Sequence, residues 1–278
     1  MSRYVDLHMH TDHSDGAHSV GEVVAMVREA KLAAFAITDH DTIAGYHEVR
    51  QIVGPDDPEL ISGVEISVAA GKSDLHMLAY LFDPDYEPLT ERLAGFREER
   101  NLRGGSMVQR LNRQGLDLSI EAVLEKAGRA AIGRPHIAEA LVDGGMVESF
   151  ERAFQKYIGD HCPAYVPKSK IEPAEAIDLV HRAGGIAVMA HPFVNDMHRQ
   201  LPELAELGLD GVEVYHYSHT KQQRKELLRL AARYGLIKSG GSDFHGRQRH
   251  EVEIGCFQVP VEFLNIMKER AADIRGEH

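Results

Sequence analysis

Cysteine is nearly missing from this chain: Cys162 and Cys256 are the two among 278 residues, far apart and in no paired motif. That excludes a disulfide scaffold and a cysteine-built zinc finger. Tryptophan is absent and aromatic residues make up only 6%, so a core must be built from the aliphatic share of a 43% hydrophobic composition, which suffices for one large domain or a domain with an insertion. No apolar run approaches the roughly 20 residues that span a bilayer, and no secretory leader is read at the start. The expectation is a reduced, cytoplasmic protein with no membrane association. Positive charge is also short: 31 basic against 43 acidic side chains give a formal charge of -12. Such a balance disfavours a surface that coats nucleic acid, while a local phosphate pocket stays compatible and bound cations would offset some of the charge. What the chain has in excess is histidine, 17 residues.

Apolar runs ending in polar clusters recur along the sequence. Residues 3–7 read as a strand before "HMHTDHSDG", a helix follows around Val20 to Lys31, and "LAAFAITDH" reads as a buried strand with Asp39 to Asp41 at its polar end. A helix around Ile43 to Ile52 leads through the Gly54, Pro55 and Pro58 turn into "LISGVEIS" and "LHMLAYLF". The pattern returns in "AGGIAVMAHPF", "LDGVEVYHYSH" and "YGLIKSGGSDFHG", with helices expected at Pro173 to Ala183, Leu201 to Leu207 and Lys221 to Tyr234. This alternation supports an α/β barrel with active residues at the C-terminal strand ends, an open α/β sheet being the alternative. Between Leu93 and Tyr165 the strand rhythm gives way to helix-like segments. The expected organisation is a barrel of residues 1–90 and 170–278, with 91–169 as a helical insertion over or beside the active site. The final "NIMKERAADIRGEH" reads as a terminal helix.

Metal-ligating residue types fall where the strands end. His8 and His10 share one face of an extended segment, and Asp15 follows. "ITDHD" adds Asp39, His40 and Asp41; Glu65, Asp74, His76, His191, Asp243 and His245 come later. A lone histidine at any of these places is more often a surface or satisfied core residue, and a lone aspartate a helix cap. Their recurrence at successive strand ends is what points to ligation, and the mixed nitrogen and oxygen set suits Mn, Zn or Fe better than calcium. Asp12 and His13 read as loop-shaping or solvated. Asp39, Asp41 and Asp74 are candidates for a carboxylate that orients a ligand imidazole from behind.

Through "DLHMHTDHSDG", "ITDHD", "GVEIS", "LHMLAY", "AHPF" and "GSDFHG" the chain resembles the PHP (polymerase and histidinol phosphatase) family. The resemblance implies a distorted seven-stranded (β/α) barrel with two to three divalent metal ions. It implies that His8, His10, Glu65 and Asp243 surround one metal, that Glu65 bridges to a second held by His76 and His191, and that Asp15, His40 and His245 hold a third. The expected reaction is attack of metal-bound hydroxide on phosphorus. In "GRPHIAEAL", Arg134 is suited to a bidentate phosphate contact and His136 to directional recognition or protonation, the bland alternative being a helix-opening arginine beside a partly exposed histidine. His219, Lys238 and Arg247 are further substrate-binding candidates, with His219 and His136 as acid/base or phosphate-positioning groups. Arg103 and Arg110 read either as pocket residues or as exposed ion-pairing ones, and His216 as a loop support.

The insertion and the "AYVP" segment look like the subgroup of 3′,5′-nucleoside bisphosphate phosphatases and the exoribonuclease RNase AM. The lead expectation is hydrolysis of the 3′-phosphate of such a bisphosphate to a nucleoside 5′-monophosphate and phosphate. Alternatives are a 5′-to-3′ exoribonuclease acting on short RNA and a phosphatase for another small phosphomonoester. Outside that class stand an amidohydrolase on a related barrel and a metal-stabilised interaction domain without activity. A small phosphorylated nucleotide is the expected partner, with short RNA as a second and no obligate protein partner. "IGDHCPAYV" departs from the glycine-rich loop of the subgroup, carrying His161 and Cys162 there, a departure that bears on pocket size.

Overall fold

The computed structural model describes residues 3–70, 73–246 and 252–277. The chain divides into two compact units, Met1–Leu93 with Lys170–His278, and Ala94–Ser169. In chain order the first unit begins β1 (Tyr4–Asp6), α1 (Val20–Glu29), β2 (Ala34–Ala36), α2 (Ala44–Ile52), β3 (Glu59–Ile61), β4 (Gly63–Ala70) and β5 (Ser73–Tyr80). Helix α3 (Glu87–Arg113) runs across the division, and the second unit continues with α4 (Ile120–Ala127), α5 (Arg134–Asp143) and α6 (Phe150–Ala153), the last running on into a π-helical turn, Phe154–Ile158. The first unit resumes with α7 (Pro173–Arg182), β6 (Ile186–Met189), α8 (Leu201–Glu206), β7 (Gly211–Tyr215), α9 (Lys221–Tyr234), β8 (Ile237–Gly240), β9 (Val259–Pro260) and α10 (Val261–Arg275).

Local chemistry accounts for the helix ends. Ser19 and Glu22 form a reciprocal capping box that opens α1, whose valines Val20, Val23, Val24 and Val27 are buried. Thr220 and Gln223 do the same for α9, which Gly235 ends in the left-handed conformation. The run "LISGVEIS" is not one strand: it breaks at Ser62, whose hydroxyl donates to the Phe82 carbonyl, into β3 and β4.

The strands form a four-stranded sheet in the order β3-β2-β1-β9 and a five-stranded sheet in the order β4-β5-β6-β7-β8. No continuous barrel closes among the described residues, so the seven-stranded barrel expected from the resemblance reduces to a mixed α/β fold of two sheets. β4 and β5 pair antiparallel because a two-residue connection allows only a hairpin, whereas parallel strands need a long crossover. β6, β7 and β8 are parallel. Isolated parallel bridges join the sheets beside the histidine-rich segments, Met9 with Phe244 and His40 with Glu65. A core of Val5, Leu7, Leu78, Tyr80, Ile186, Val188 and Met267 lies beneath, and the Tyr80 hydroxyl donates to the Leu7 carbonyl at 2.8 Å. The second unit has its own core, which includes Met107, Leu111, Ile137 and Leu141.

Candidate metal centre

The segment after β1 stays extended, which sends His8 and His10 in one direction and brings their Nε2 atoms to 3.1 Å. The chain then folds back on itself: Ser14 and Gly16 donate their amides to the Thr11 carbonyl. Asp39 braces this loop, accepting from Thr11 N at 2.8 Å, Thr11 Oγ1 at 2.7 Å and Ser14 Oγ at 2.6 Å. A side chain at Gly16 would meet the His10 carbonyl oxygen at 2.6 Å, so the turn needs glycine. Asp15 is thereby returned toward His245 Nε2 (3.2 Å), and toward His40 Nε2 and His10 Nδ1 (both 3.9 Å). His13 is not part of this group and pairs with Glu48 at 3.0 Å.

Glu65, on β4 and 1% exposed, is the hub. Its Oε2 faces His8 Nε2 and His10 Nε2 at 3.2 Å and His40 Nδ1 at 3.3 Å. Its Oε1 faces His76 Nδ1 at 2.8 Å and His191 Nε2 at 2.9 Å. Asp243 Oδ1 completes the first group, 3.2 Å from His8 Nε2 and 3.1 Å from His10 Nε2. Three sets of donor atoms are close enough to share an ion: His8, His10, Glu65 and Asp243; His10, Asp15, His40 and His245; and His40, Glu65 and His76. Eight of the nine residues expected as ligands from the sequence fall in these sets; the ninth, His191, faces Glu65 Oε1, but it is His40 rather than His191 that joins Glu65 and His76 in the third set.

The donor chemistry fits cations. Burial would raise the carboxyls of Glu65, Asp15 and Asp243, but the surrounding imidazoles hold all three well below the usual range. Burial would likewise lower the imidazoles; Asp243, Glu213 and Glu65 instead hold His8 well above its ordinary value, and Asp15 and Asp243 raise His245 to about 10. The carboxylates therefore demand positive charge. Protons supply it badly, because protonated His8 and His10 would press one N–H against another at 3.1 Å. Bonds of about 2 Å in a tetrahedral nitrogen and oxygen shell place donors about 3.3 Å apart, close to the spacing found here. Backbone strain accompanies the cluster: His191 and Asp243 take positive φ, 27° and 54°.

Several supporting residues were not legible beforehand. Glu213 on β7, wholly buried, bonds His8 Nδ1 at 2.9 Å and so stands behind the His8 imidazole. Of the three aspartates expected in that role, Asp39 holds the loop and Asp41 accepts from Ser67 N and Oγ, both at 2.7 Å; the Asp74 side chain lies outside the described residues. A glutamate in "GVEVY" looks like ordinary strand polarity, and nothing local marks its partner. His216, expected to support its loop, lies with Nε2 3.0 Å from Asp243 Oδ2. His219 is 3% exposed; its Nδ1 donates to the Val214 carbonyl at 3.0 Å, its Nε2 has no hydrogen-bond partner, and burial pushes it down to about 4.

In the second unit, Arg134 opens α5, bonds Asp160 at 2.9 Å and lies against the rings of Phe154 and Tyr165. His136 is 2% exposed rather than partly exposed, and its Nδ1 accepts from Gly133 N at 3.1 Å, closing the helix cap. Arg103 and Arg110 donate to the carbonyls of Val166 and Tyr165 and so tie the "AYVP" segment to α3. His161 takes a left-handed φ of 68°. Lys238 Nζ lies 5.4 Å from the Phe263 ring centroid, and Arg247 lies outside the described residues.

Imidazoles and carboxylates converging on one shared glutamate define the centre of a metal-dependent hydrolase. Residues 6–157 match the PHP domain model, and the chain belongs to that family of phosphoesterases. It is 33% identical over 247 residues to the 5′-3′ exoribonuclease Rnm of Escherichia coli K12, covering 86% of this chain and 84% of that protein. It is equally 33% identical over 247 residues to a 3′,5′-nucleoside bisphosphate phosphatase of Chromobacterium violaceum, covering 87% of each. Among solved structures, a candidate metal-dependent phosphoesterase of Bifidobacterium adolescentis superposes with a TM-score of 0.87 at 33% identity, covering 100% of this chain and 99% of that one. No helix among the described residues is long and apolar enough to cross a membrane.

Proposed function

We propose that the chain removes the 3′-phosphate of nucleoside 3′,5′-bisphosphates, leaving a nucleoside 5′-monophosphate and inorganic phosphate. The observation that carries this reading is Glu65, whose two oxygens face separate sets of imidazoles and so suit it to bridge two cations. His8, His10, Glu65 and Asp243 would hold one ion, His76 and His191 with Glu65 a second, and Asp15, His40 and His245 a third. Such ions supply Lewis acidity toward phosphate oxygens and water; Mn, Zn and Fe match the donor set.

The chain's own groups do the rest. Asp15, Glu65 and Asp243 stay ionised and act as holders rather than as bases. His219 is neutral at pH 7, with its Nδ1 proton donated to the Val214 carbonyl, so its Nε2 lone pair accepts a hydrogen bond and the ring carries no charge to pair with phosphate. Arg134, which lies against Phe154 and Tyr165 and is paired with Asp160, carries a guanidinium suited to a phosphate contact. The net acidity of the chain favours a small nucleotide over a long RNA tract.

The test runs metal-defined protein in parallel on adenosine 3′,5′-bisphosphate, a nucleoside 3′-monophosphate and a short 5′-phosphorylated RNA. Rapid conversion of the bisphosphate to the 5′-monophosphate with little RNA shortening is the expected outcome. Stepwise release of nucleotides from the RNA makes the chain an exoribonuclease instead. Failure on all three with Mn, Zn, Fe and Mg rejects phosphoester hydrolysis.

A further inference from the structure

Glu213 is a charged residue in the middle of the apolar strand β7, with no exposed surface. A carboxylate so placed is strongly destabilising unless its lone pairs meet donors. Both oxygens do, and the two donors belong to different parts of the centre: Oε2 accepts from the backbone N–H of His191 at 2.7 Å, and Oε1 lies 2.9 Å from His8 Nδ1. The amide proton of His191 cannot relocate, and an ionised carboxylate only accepts, so His8 must keep its proton on Nδ1. His8 then presents Nε2 to Glu65 Oε2, Asp243 Oδ1 and His10 Nε2. The same contact fixes the backbone of His191, where φ is 27° and whose ring reaches the other oxygen of Glu65.

We propose that Glu213 is a positioning residue: it sets the tautomer of His8 and clamps the His191 backbone, joining in one side chain the imidazoles that face the two oxygens of Glu65. This rests on the metal-centre reading above. Glutamine has the same size but one acceptor and one donor. With its carbonyl on the His191 amide, its NH2 faces His8 Nδ1, which must then accept, and the His8 proton moves to Nε2, where a cation would bind. Turned over, the NH2 confronts the His191 N–H instead. Neither arrangement keeps both contacts.

Two measurements test this. The histidine side-chain 15N spectrum of the zinc-loaded wild-type chain reports where His8 carries its proton, and zinc titrations compare Glu213→Gln with wild type at equal circular dichroism and unfolding midpoint. The expected result is a protonated Nδ1 and a zinc-bound Nε2 on His8, with zinc affinity of the variant reduced about 10- to 100-fold. A wild-type His8 whose Nδ1 bears no proton overturns the proposal, as does a Glu213→Gln chain that binds zinc as tightly as wild type. Should the variant fail to fold, the wild-type spectrum alone decides, and a chain that takes up no zinc sinks this proposal together with the metal centre. Zinc binding as described without phosphate release from any nucleotide leaves Glu213 in its role and removes only the proposed reaction.

Discussion

Glu65 and His245 mark the two ways a single residue can matter here. Glu65 shares its oxygens among five imidazoles, so Glu65→Gln removes a charge that no neighbour can replace. Phosphate release at a fixed metal concentration is expected to fall by more than about 100-fold, with metal content per chain falling in parallel, since even outer partners of metal ligands cost up to that much. Unchanged turnover at saturating metal would reject the cluster as catalytic. His245 acts through its proton. Its folded value of about 10 lies above the ordinary 6.5, so in metal-free protein its pairing with Asp15 and Asp243 is fully stabilising below pH 6.5 and is lost as pH rises through about 10. Cations must displace that proton, along with those on His8 and His10, so metal affinity should rise with pH across the neutral range. Calorimetric titration in buffers of differing ionisation enthalpy would register the released protons; zero release at pH 7 would contradict this electrostatic picture.

Elements divide into those that carry the fold and those that deliver the site, and two substitutions separate them. Ser19→Ala removes the cap of α1 and should cost about 1 kcal/mol in urea unfolding while leaving metal affinity alone. Gly241→Ala, at the exit of β8, would put a methyl group 2.4 Å from the His8 backbone nitrogen, so the two segments must part and metal affinity should drop. The same division governs what could be read without coordinates. Helix α9 was legible from Lys221 to Tyr234 because Thr220, Gln223 and Gly235 are local signals. The nine candidate ligands were legible because they gather in a few short motifs beside apolar runs. Glu213 was not, since its meaning depends on His8, 205 positions away. The sheet order was only half legible: strand rhythm reports neighbours along the chain, whereas β5 pairs antiparallel with β6, from which the whole second unit separates it in sequence.

For the whole molecule, the formal charge of -12 and the buried carboxylates of the centre act in the same direction. Cations that bind only the folded chain stabilise it by mass action, about 2.7 kcal/mol at a free concentration of 100 times Kd. Chelation is therefore expected to lower the unfolding midpoint by about 5–10 °C for a unit of this size. A midpoint indifferent to chelator, measured by scanning calorimetry on metal-loaded protein, would contradict a cation-dependent fold. The second unit, with a separate core, should respond less, giving a transition whose position chelator hardly moves.

The left-handed backbone at His191 and Asp243 has a consequence for anyone who would improve this protein. Glycine or asparagine at position 243 relaxes the main chain and removes a charge from the centre, so a selection for heat resistance alone, run on metal-free protein, would reward the change. The surviving variants would be sturdier and inert. Breeding a robust form of this catalyst thus requires turnover to be screened in every round, because at these two positions durability and activity pull the sequence toward different letters.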